Sequence, residues 1–399
     1  MRVLNLLYNK DLIEELARIG VDKPAWDIFS AKLENLAIKL EHLPTGLGNI
    51  LKQTALSLGA DCALHRNIIT GRRRFSDALL FANLRQLARI GQRLSYQPFG
   101  GERLGKALLD LIEKHRRQNL KIKIRHNEFD LTKRTYLIGI LNITPDSFSD
   151  GGKYFSTDAA IRRAEAIEAE GADLIDLGAE STRPGSEPVR PKEELKRLLP
   201  VLRIIRKRLK TPISVDTYKS EVAKEVLKQG ADVINDISGL RFDNKMVEVI
   251  AKFDVPCIIM HIKGKPKNMQ KNPHYDDTMA EIYDYLEKSL DKAQSAGVDR
   301  KKIIVDPGIG FGKRLEDNYT IIRRLSELKG LGRPIAIGPS RKSFIGLTLN
   351  QPVGERLEGT IAASVMAITQ GANFLRVHDL KLVKRAVVMT DAIMKEHKC

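Results

Sequence analysis

Eight short segments between residues 142 and 378 place polar, chemically competent side chains directly after apolar runs. In chain order they present Asn142, Asp176 with Glu180-Ser181-Thr182-Arg183-Pro184-Gly185, Asp216, Asn235 with Asp236, His261, Asp306, Ser340-Arg341-Lys342-Ser343, and Arg376 with His378. Asp216, Asn235 and Asp306 suit the edge of a flat heterocycle that offers several N–H donors and an acceptor. A carboxylate accepts two such donors at once, an amide donates and accepts, and Lys342 can satisfy a ring carbonyl or nitrogen. Together the four fit a 2-amino-4-oxo pyrimidine edge. The plainer reading of Asp216 and Asp306, as helix N-caps or metal ligands, is the lesser alternative because both stand at strand ends.

A second set, Arg183, Arg376 and His378, brings cationic donors from distant parts of the chain and suits a polyphosphate. Taken singly, Arg376 fits a structural ion pair and His378 a hydrogen-bonded core position. Asn142 and Asp150 are hard oxygen ligands of the kind magnesium uses when substrate phosphates complete its shell. The run Asp306-Pro307-Gly308-Ile309-Gly310-Phe311-Gly312-Lys313 has neither P-loop spacing nor the dinucleotide fingerprint. Its glycines let the backbone pass close to a planar ligand, on which Phe311 could stack.

These groups need elements to position them. Apolar runs at 136–141, 173–177, 212–215, 233–237, 256–261, 303–305, 335–338 and 373–377 read as strands, each followed by a polar loop and a helix-period segment. Gly171-Ala172-Asp173, Gly230-Ala231-Asp232 and Gly371-Ala372-Asn373 repeat one helix-to-strand joint with a capping glycine. Eight βα units predict a closed (β/α)8 barrel of the TIM type, with a doubly wound open sheet as the alternative. Catalytic groups then belong at the C-terminal strand ends. Thr144-Pro145-Asp146 with the Gly151-Gly152 pair marks an abrupt exit from the first strand into an exposed loop.

Upstream of the barrel, residues 1–120 read as a mainly helical domain of unknown role, with helix-period segments at Asp11 to Ile19, Ala31 to Leu40 and Ser76 to Ile90. Leu-Ala-Arg-Ile-Gly, at Leu16 to Gly20 and again at Leu87 to Gly91, reads as two glycine-closed helix ends. Thr70-Gly71-Arg72-Arg73-Arg74 could hold phosphate or nucleic acid, although such runs are usually solvated surface. The barrel domain spans 121–399. Lys121 to Arg125 alternates strictly and predicts a strand that pairs with Glu128 to Leu131 beneath the barrel.

The chain has 399 residues, 42% of them hydrophobic, enough for one large core and a second unit. Residues 1–134 carry 24 Lys+Arg against 14 Asp+Glu, or +10, and the remainder 43 against 36, or +7, of the formal +17. The smaller part is the more basic. Absence of a long apolar run and of a leader pattern predicts a cytoplasmic protein with no membrane partner. Cys62, Cys257 and Cys399 lack metal-ligand spacing and fit a reducing compartment.

From Tyr136 to His397 the chain resembles the dihydropteroate synthases, folate-pathway enzymes that join 4-aminobenzoate to a pterin. The marks are Gly139-Ile140-Leu141-Asn142 through Gly152, Glu180 to Gly185, Ser214-Val215-Asp216-Thr217, Ile234 to Gly239, Met260-His261, Asp306 to Lys313, Ser340 to Ser343, and Arg376-Val377-His378-Asp379. The resemblance implies transfer of a pterinylmethyl group, in which 6-hydroxymethyl-7,8-dihydropterin pyrophosphate and 4-aminobenzoate give 7,8-dihydropteroate and pyrophosphate. It implies a pterin pocket of Asp216, Asn235, Met260, Asp306 and Lys342. Asn142, Arg183, Arg376 and His378 would bind pyrophosphate, with Asn142 and Asp150 on Mg2+, and Phe148 and Asp150 would sit on a mobile loop hinged at Thr144-Pro145-Asp146. Phe148, Thr182, Pro184, Phe311, Lys342 and Ser343 would surround 4-aminobenzoate, which sulfonamides mimic. It also implies a homodimer, and no role for nucleic acid in the barrel. The methyltetrahydrofolate:corrinoid methyltransferases share an Asp/Asn/Asp pterin pocket and form the alternative, but they have no use for a pyrophosphate site.

Overall fold

The computed structural model describes residue 4 and residues 9–116, 120–143, 153–182 and 185–395. It divides into two compact units, Met1–Arg117 and Gln118–Cys399. The first runs α1 (Asn9–Ile19), α2 (Lys23–Leu33), β1 (Asn35–Pro44), α3 (Thr45–Leu56), β2 (Asp61–Leu64), β3 (Phe75–Asn83), α4 (Leu84–Leu94), α5 (Gly101–Arg116), with an antiparallel sheet ordered β1-β3-β2.

Helices outnumber strands here, yet two segments expected to be helical contain strands. In β3, Ala78, Leu80 and Ala82 are buried while Leu79 and Phe81 are exposed, a period of two that helical spacing does not produce. The Ser76 to Ile90 reading fused β3 to α4 across a capping box. Asn83 Oδ1 accepts from the Gln86 amide at 2.9 Å, and Gln86 Oε1 accepts from the Asn83 amide at 2.9 Å. Likewise α2 ends at Leu33 and the chain turns extended at Glu34, so Ala31 to Leu40 is mostly β1. The repeated pentapeptide also splits. Gly20 closes α1 with φ +82°, whereas Gly91 lies inside α4, where a Cβ would stand 3.1 Å from Gly105 O of α5.

The second unit opens with the hairpin β4 (Lys121–Ile124) and β5 (Asn127–Asp130). Eight parallel strands follow: β6 (Tyr136–Asn142), β7 (Leu174–Gly178), β8 (Ile213–Asp216), β9 (Val233–Asp236), β10 (Cys257–Met260), β11 (Ile303–Asp306), β12 (Ala336–Ile337) and β13 (Phe374–Val377). The sheet order β11-β10-β9-β8-β7-β6-β13-β12, with a parallel bridge between Val305 and Ile335, closes the ring. The expected barrel holds over its open-sheet alternative.

The strands are separated by α6 (Lys153–Ala169), α7 (Pro191–Arg208), α8 (Ser220–Lys228), α9 (Met246–Phe253), α10 (Thr278–Ser295), α11 (Leu315–Arg323) and, after the short α12 (Ser343–Leu349), α13 (Leu357–Thr369); α14 (Leu380–Lys395) ends the ring.

The three Gly-Ala-Asp/Asn joints each do two things. Their glycines take φ of +88°, +96° and +98°, the left-handed turn that ends a helix. Their third residues accept an amide from the neighbouring strand at 2.9 Å: Leu137 to Asp173, Ile213 to Asp232, and Ile335 to Asn373. The carboxylate or amide therefore registers one strand against the next.

Inside the ring, Ile138, Leu174, Val233, Ile258, Ile304, Ala336 and Phe374 pack as one layer against Ile122, Ile124, Phe129 and Leu131 of the hairpin region. The hairpin thus seals the N-terminal end of the barrel, as its alternation predicted. No helix among the described residues is long and apolar enough to cross a membrane.

Candidate active site

Period-two alternation lifts the site residues to the other end of the ring. Leu174, Val233, Ile258, Ile304 and Phe374 belong to the inward apolar layer. Two positions further along those strands stand Asp176, Asn235, Met260, Asp306 and Arg376. Same-face neighbours on a strand are two residues apart, so the interior passes from hydrocarbon to polar groups within one step. Asn142 and Asp216 complete the layer at the ends of β6 and β8.

The middle of this layer is a charge network. Arg376 Nε donates to Asp176 Oδ2 at 2.6 Å, and Arg376 Nη2 donates to Asp216 Oδ2 at 3.0 Å. Asn235 Nδ2 donates to the same Asp176 oxygen at 3.1 Å. Asp176 is fully buried, and its other oxygen has no hydrogen-bond partner among the described residues. Burial raises the Asp216 carboxyl to about 7, with Arg376 opposing the shift and Asp176 adding to it. For Arg376, burial works against the charge, but Asp176 and Asp216 outweigh it and hold the guanidinium more firmly protonated. Gly178 leaves room beside the cluster: a Cβ there would lie 3.4 Å from Asn142 Oδ1 and 3.6 Å from Asp216 Cβ.

The facing wall combines a carboxylate, an ammonium and an apolar floor. Asp306 pairs in register with Met260, and its Oδ1 accepts from the Gly308 amide at 2.7 Å. Burial lifts its carboxyl to about 6. Lys342 Nζ stands 4.0 Å from the centre of the Phe311 ring; burial and then Arg376 lower its ammonium to about 8. Met260 and Phe311 belong to one small apolar cluster with Ile237, Ile262 and Met269, against which Tyr218 and Phe242 pack.

His378 departs from the cationic role expected of it. Its Nδ1 is 3.1 Å from Ser340 Oγ, which also accepts the His378 amide at 3.2 Å. Burial, reinforced by Arg376, pushes its pKa down to about 3, so it acts as a neutral hydrogen-bonding imidazole. Asp236 faces away and accepts from Ser238 N, Ser238 Oγ and Leu240 N, a structural turn. Asp216 caps no helix, since Lys219 occupies the position before α8.

Thr182 is half-buried and Ser343 exposed, and among the described residues no hydrogen bond or ring contact joins either to this cluster. Phe148, Asp150, Arg183, Pro184 and the expected hinge at Thr144-Pro145-Asp146 lie outside the described residues. The site also includes a lysine that sequence reasoning did not assign. Buried Lys313 places Nζ 2.9 Å from His261 Nδ1 and donates to Phe311 O at 3.0 Å, and burial lowers its ammonium to about 7. Asp176 was visible as a lone acid within Leu-Ile-Asp-Leu-Gly, but its position at the hub was not.

Buried carboxylates and an amide, beside Arg376 and Lys342 over an apolar floor at the C-terminal mouth of a (β/α)8 barrel, fit a pterin-binding enzyme of the barrel class. Residues 138–378 match the sequence model of the family described as pterin binding enzyme. The dihydropteroate synthase of Clostridium beijerinckii is 46% identical over 275 residues, covering 69% of this chain and all of that protein. Among solved structures, a dihydropteroate synthase from Clostridium difficile, determined in the presence of pteroic acid, is 49% identical with a TM-score of 0.64. It covers 67% of this chain and 99% of its own. The Thermus thermophilus enzyme in complex with 4-aminobenzoate is 41% identical with a TM-score of 0.62, covering 68% and 99%. This chain belongs to the dihydropteroate synthase family, and it is a transferase.

Proposed function

We propose that the barrel binds 6-hydroxymethyl-7,8-dihydropterin pyrophosphate with the pterin edge on Asp216, Asn235, Asp306 and Lys342. The observation that carries this reading is the single polar layer in which Arg376 ties Asp216 to Asp176 and Asn235. Ionised Asp216 and Asp306 accept ring N–H groups, Asn235 pairs with a mixed donor and acceptor position, and Met260 packs against the ring. Phe311, Thr182, Pro184, Phe148 and Ser343 surround the arylamine.

The C–O bond at the pterin methylene breaks with its electron pair leaving on pyrophosphate. The pterin ring delocalises the cation that develops. The nitrogen of 4-aminobenzoate forms the new C–N bond and sheds a proton. Arg376, Arg183 and His378 hold the leaving group, and no enzyme nucleophile is needed.

No three His, Cys, Asp or Glu side chains gather to hold a metal among the described residues. Of the expected ligands, Asn142 presents its amide oxygen at a strand end beside Asp216. One protein oxygen suits Mg2+, which takes most of its shell from phosphate and water. Asn142 with Asp150 would hold the ion, which supplies charge neutralisation to the departing pyrophosphate.

Two further readings complete the proposal. Unpaired, buried Cys62 and Cys257 suit the cytoplasm. Exposed Met366 on α13 and Leu382, Met389 and Ile393 on α14 offer an apolar face for a second copy of the chain. Incubation with the pterin pyrophosphate, 4-aminobenzoate and Mg2+ should release pyrophosphate in step with dihydropteroate. Absence of release would defeat the assignment.

A further inference from the structure

Behind the site, four residues from three segments meet in a buried charge cluster that the reaction does not use. Lys219, the residue before α8, bonds Glu180 Oε2 and Glu194 Oε2 together. Glu194, in α7, is fully buried. Tyr218 donates from its hydroxyl to Glu180 Oε1 at 2.6 Å, and Lys219 Nζ sits 4.5 Å from the centre of the Tyr218 ring.

Glu180 stands where the chain leaves β7, and its Oε2 accepts the amide of Val189 at 3.1 Å. One carboxylate therefore binds both ends of the segment between residues 180 and 189. The same segment is drawn together by Ser186 Oγ donating to Ser181 O at 2.6 Å, and the Gly185 amide reaches Pro266 O at 3.1 Å. Tyr218 links this clasp to the pocket floor, since its ring stacks edge-on with Phe242 at 5.4 Å and both pack against the Met260 and Phe311 cluster. Lys219 is shared by two carboxylates that are both well buried, at 7% and 1% side-chain exposure. Without it they repel, and Glu180 is the one with a route to solvent.

We propose that Lys219 is a positioning residue for the second substrate: by holding Glu180 in place, it fixes the start of the segment that carries Thr182. The link to the arylamine rests on the assignment of Thr182 to that substrate; the clasp itself does not. Lys219 touches neither substrate and acts through Glu180.

Two variants separate positioning from simple charge balance. Lys219→Met removes the clamp, and Lys219→Met/Glu194→Leu also removes the carboxylate that would be stranded. Hydrogen exchange at the Val189 amide should accelerate about tenfold or more in both. The KM for 4-aminobenzoate should rise about tenfold in both, with the KM for pterin pyrophosphate within about threefold of the parent. Melting temperature should fall in the single variant and recover in the double. Parental Val189 exchange and parental KM in the double variant would reduce Lys219 to a counter-charge for Glu194 and overturn the proposal. Thr182→Val distinguishes the two claims: an unchanged 4-aminobenzoate KM there overturns the substrate assignment of the segment, while Val189 exchange still decides the role of Lys219.

Discussion

Arg376 Nε lies 2.6 Å from Asp176 Oδ2, so the last strand of the ring anchors its guanidinium on a carboxylate from the second. An arginine held this way is oriented before substrate arrives. On the proposed reading, its field would act without a cost of reorganisation when charge develops on the leaving group. Arg376→Ala should therefore raise the barrier by about 2 to 4 kcal/mol, comparable to loss of one preorganised donor. The same change strands Asp176, which is fully buried, and should lower the melting temperature as well. Turnover within about threefold of the parent, measured as pyrophosphate release, would refute the catalytic part.

A narrow bell in kcat/KM for the pterin substrate follows from two opposed shifts. In the proposed complex Asp216 accepts ring N–H groups as the carboxylate, which burial delays to about pH 7. Lys342 would donate there as an ammonium, which it holds below about pH 8 because burial lowers its pKa. One pH unit below the acid limb, about a tenth of the molecules hold an ionised Asp216. The stability effect has the opposite sense. A carboxyl whose folded pKa is raised contributes its stabilisation in full below the unfolded value and loses it as pH rises through about 7. Asp216→Asn should flatten the fall in melting temperature between about pH 4 and 7. A parental slope in that variant would show that Asp216 does not carry the titration.

How far these features could be read from the chain depends on whether a residue's constraint is local. The ring strands were legible because both faces are buried, which leaves continuous apolar runs ending in polar residues, as in Cys257 to His261. Asp216, Asn235, Asp306 and Arg376 were legible for the same reason. Alternation assigns their face before any contact is known. Strands β1 and β3 were not, because half-exposed strands such as Phe75–Asn83 carry apolar residues on both faces and imitate helix spacing. His378 lost its expected charge to burial and to Arg376, two facts of packing that spacing does not record. The Lys219 clasp joins residues 25 and 39 positions away, and each member alone reads as an ordinary surface charge.

Gly308 should tolerate no side chain. Its φ is +68°, and a Cβ would meet His261 O at 1.9 Å, a backbone atom with no flexible end to move aside. Left-handed strain of about 1 to 2 kcal/mol adds to an overpacking cost of about 1 to 3. Because the Gly308 amide also holds Asp306 Oδ1 at 2.7 Å, the displacement should weaken pterin binding beyond its effect on stability. Gly308→Ala should melt several degrees lower and raise the KM for the pterin substrate while leaving that for 4-aminobenzoate nearly unchanged. Equal rises in both would place the damage in the fold as a whole.

Truncation should separate the two units sharply, with the critical boundary a dozen residues inside the second. Every described member of the site lies between Asn142 and His378, and the second unit begins at Gln118. A chain of residues 118–399 should fold and keep turnover within about threefold of the parent. Starting instead at Arg134 removes Ile122, Ile124, Phe129 and Leu131, all buried in the layer that seals the barrel. Phe129 alone packs edge-on to Tyr136 at 4.9 Å and lies 6.1 Å from Phe374. At about 2 to 4 kcal/mol for each large buried side chain, the combined loss reaches or exceeds the roughly 5 to 15 kcal/mol by which a native protein is stable. The 134–399 chain should therefore lack a cooperative thermal transition by circular dichroism even though it retains every candidate catalytic residue. A cooperative melt for 134–399 matching that of 118–399 would mean that the hairpin is an ornament and not the floor of the barrel.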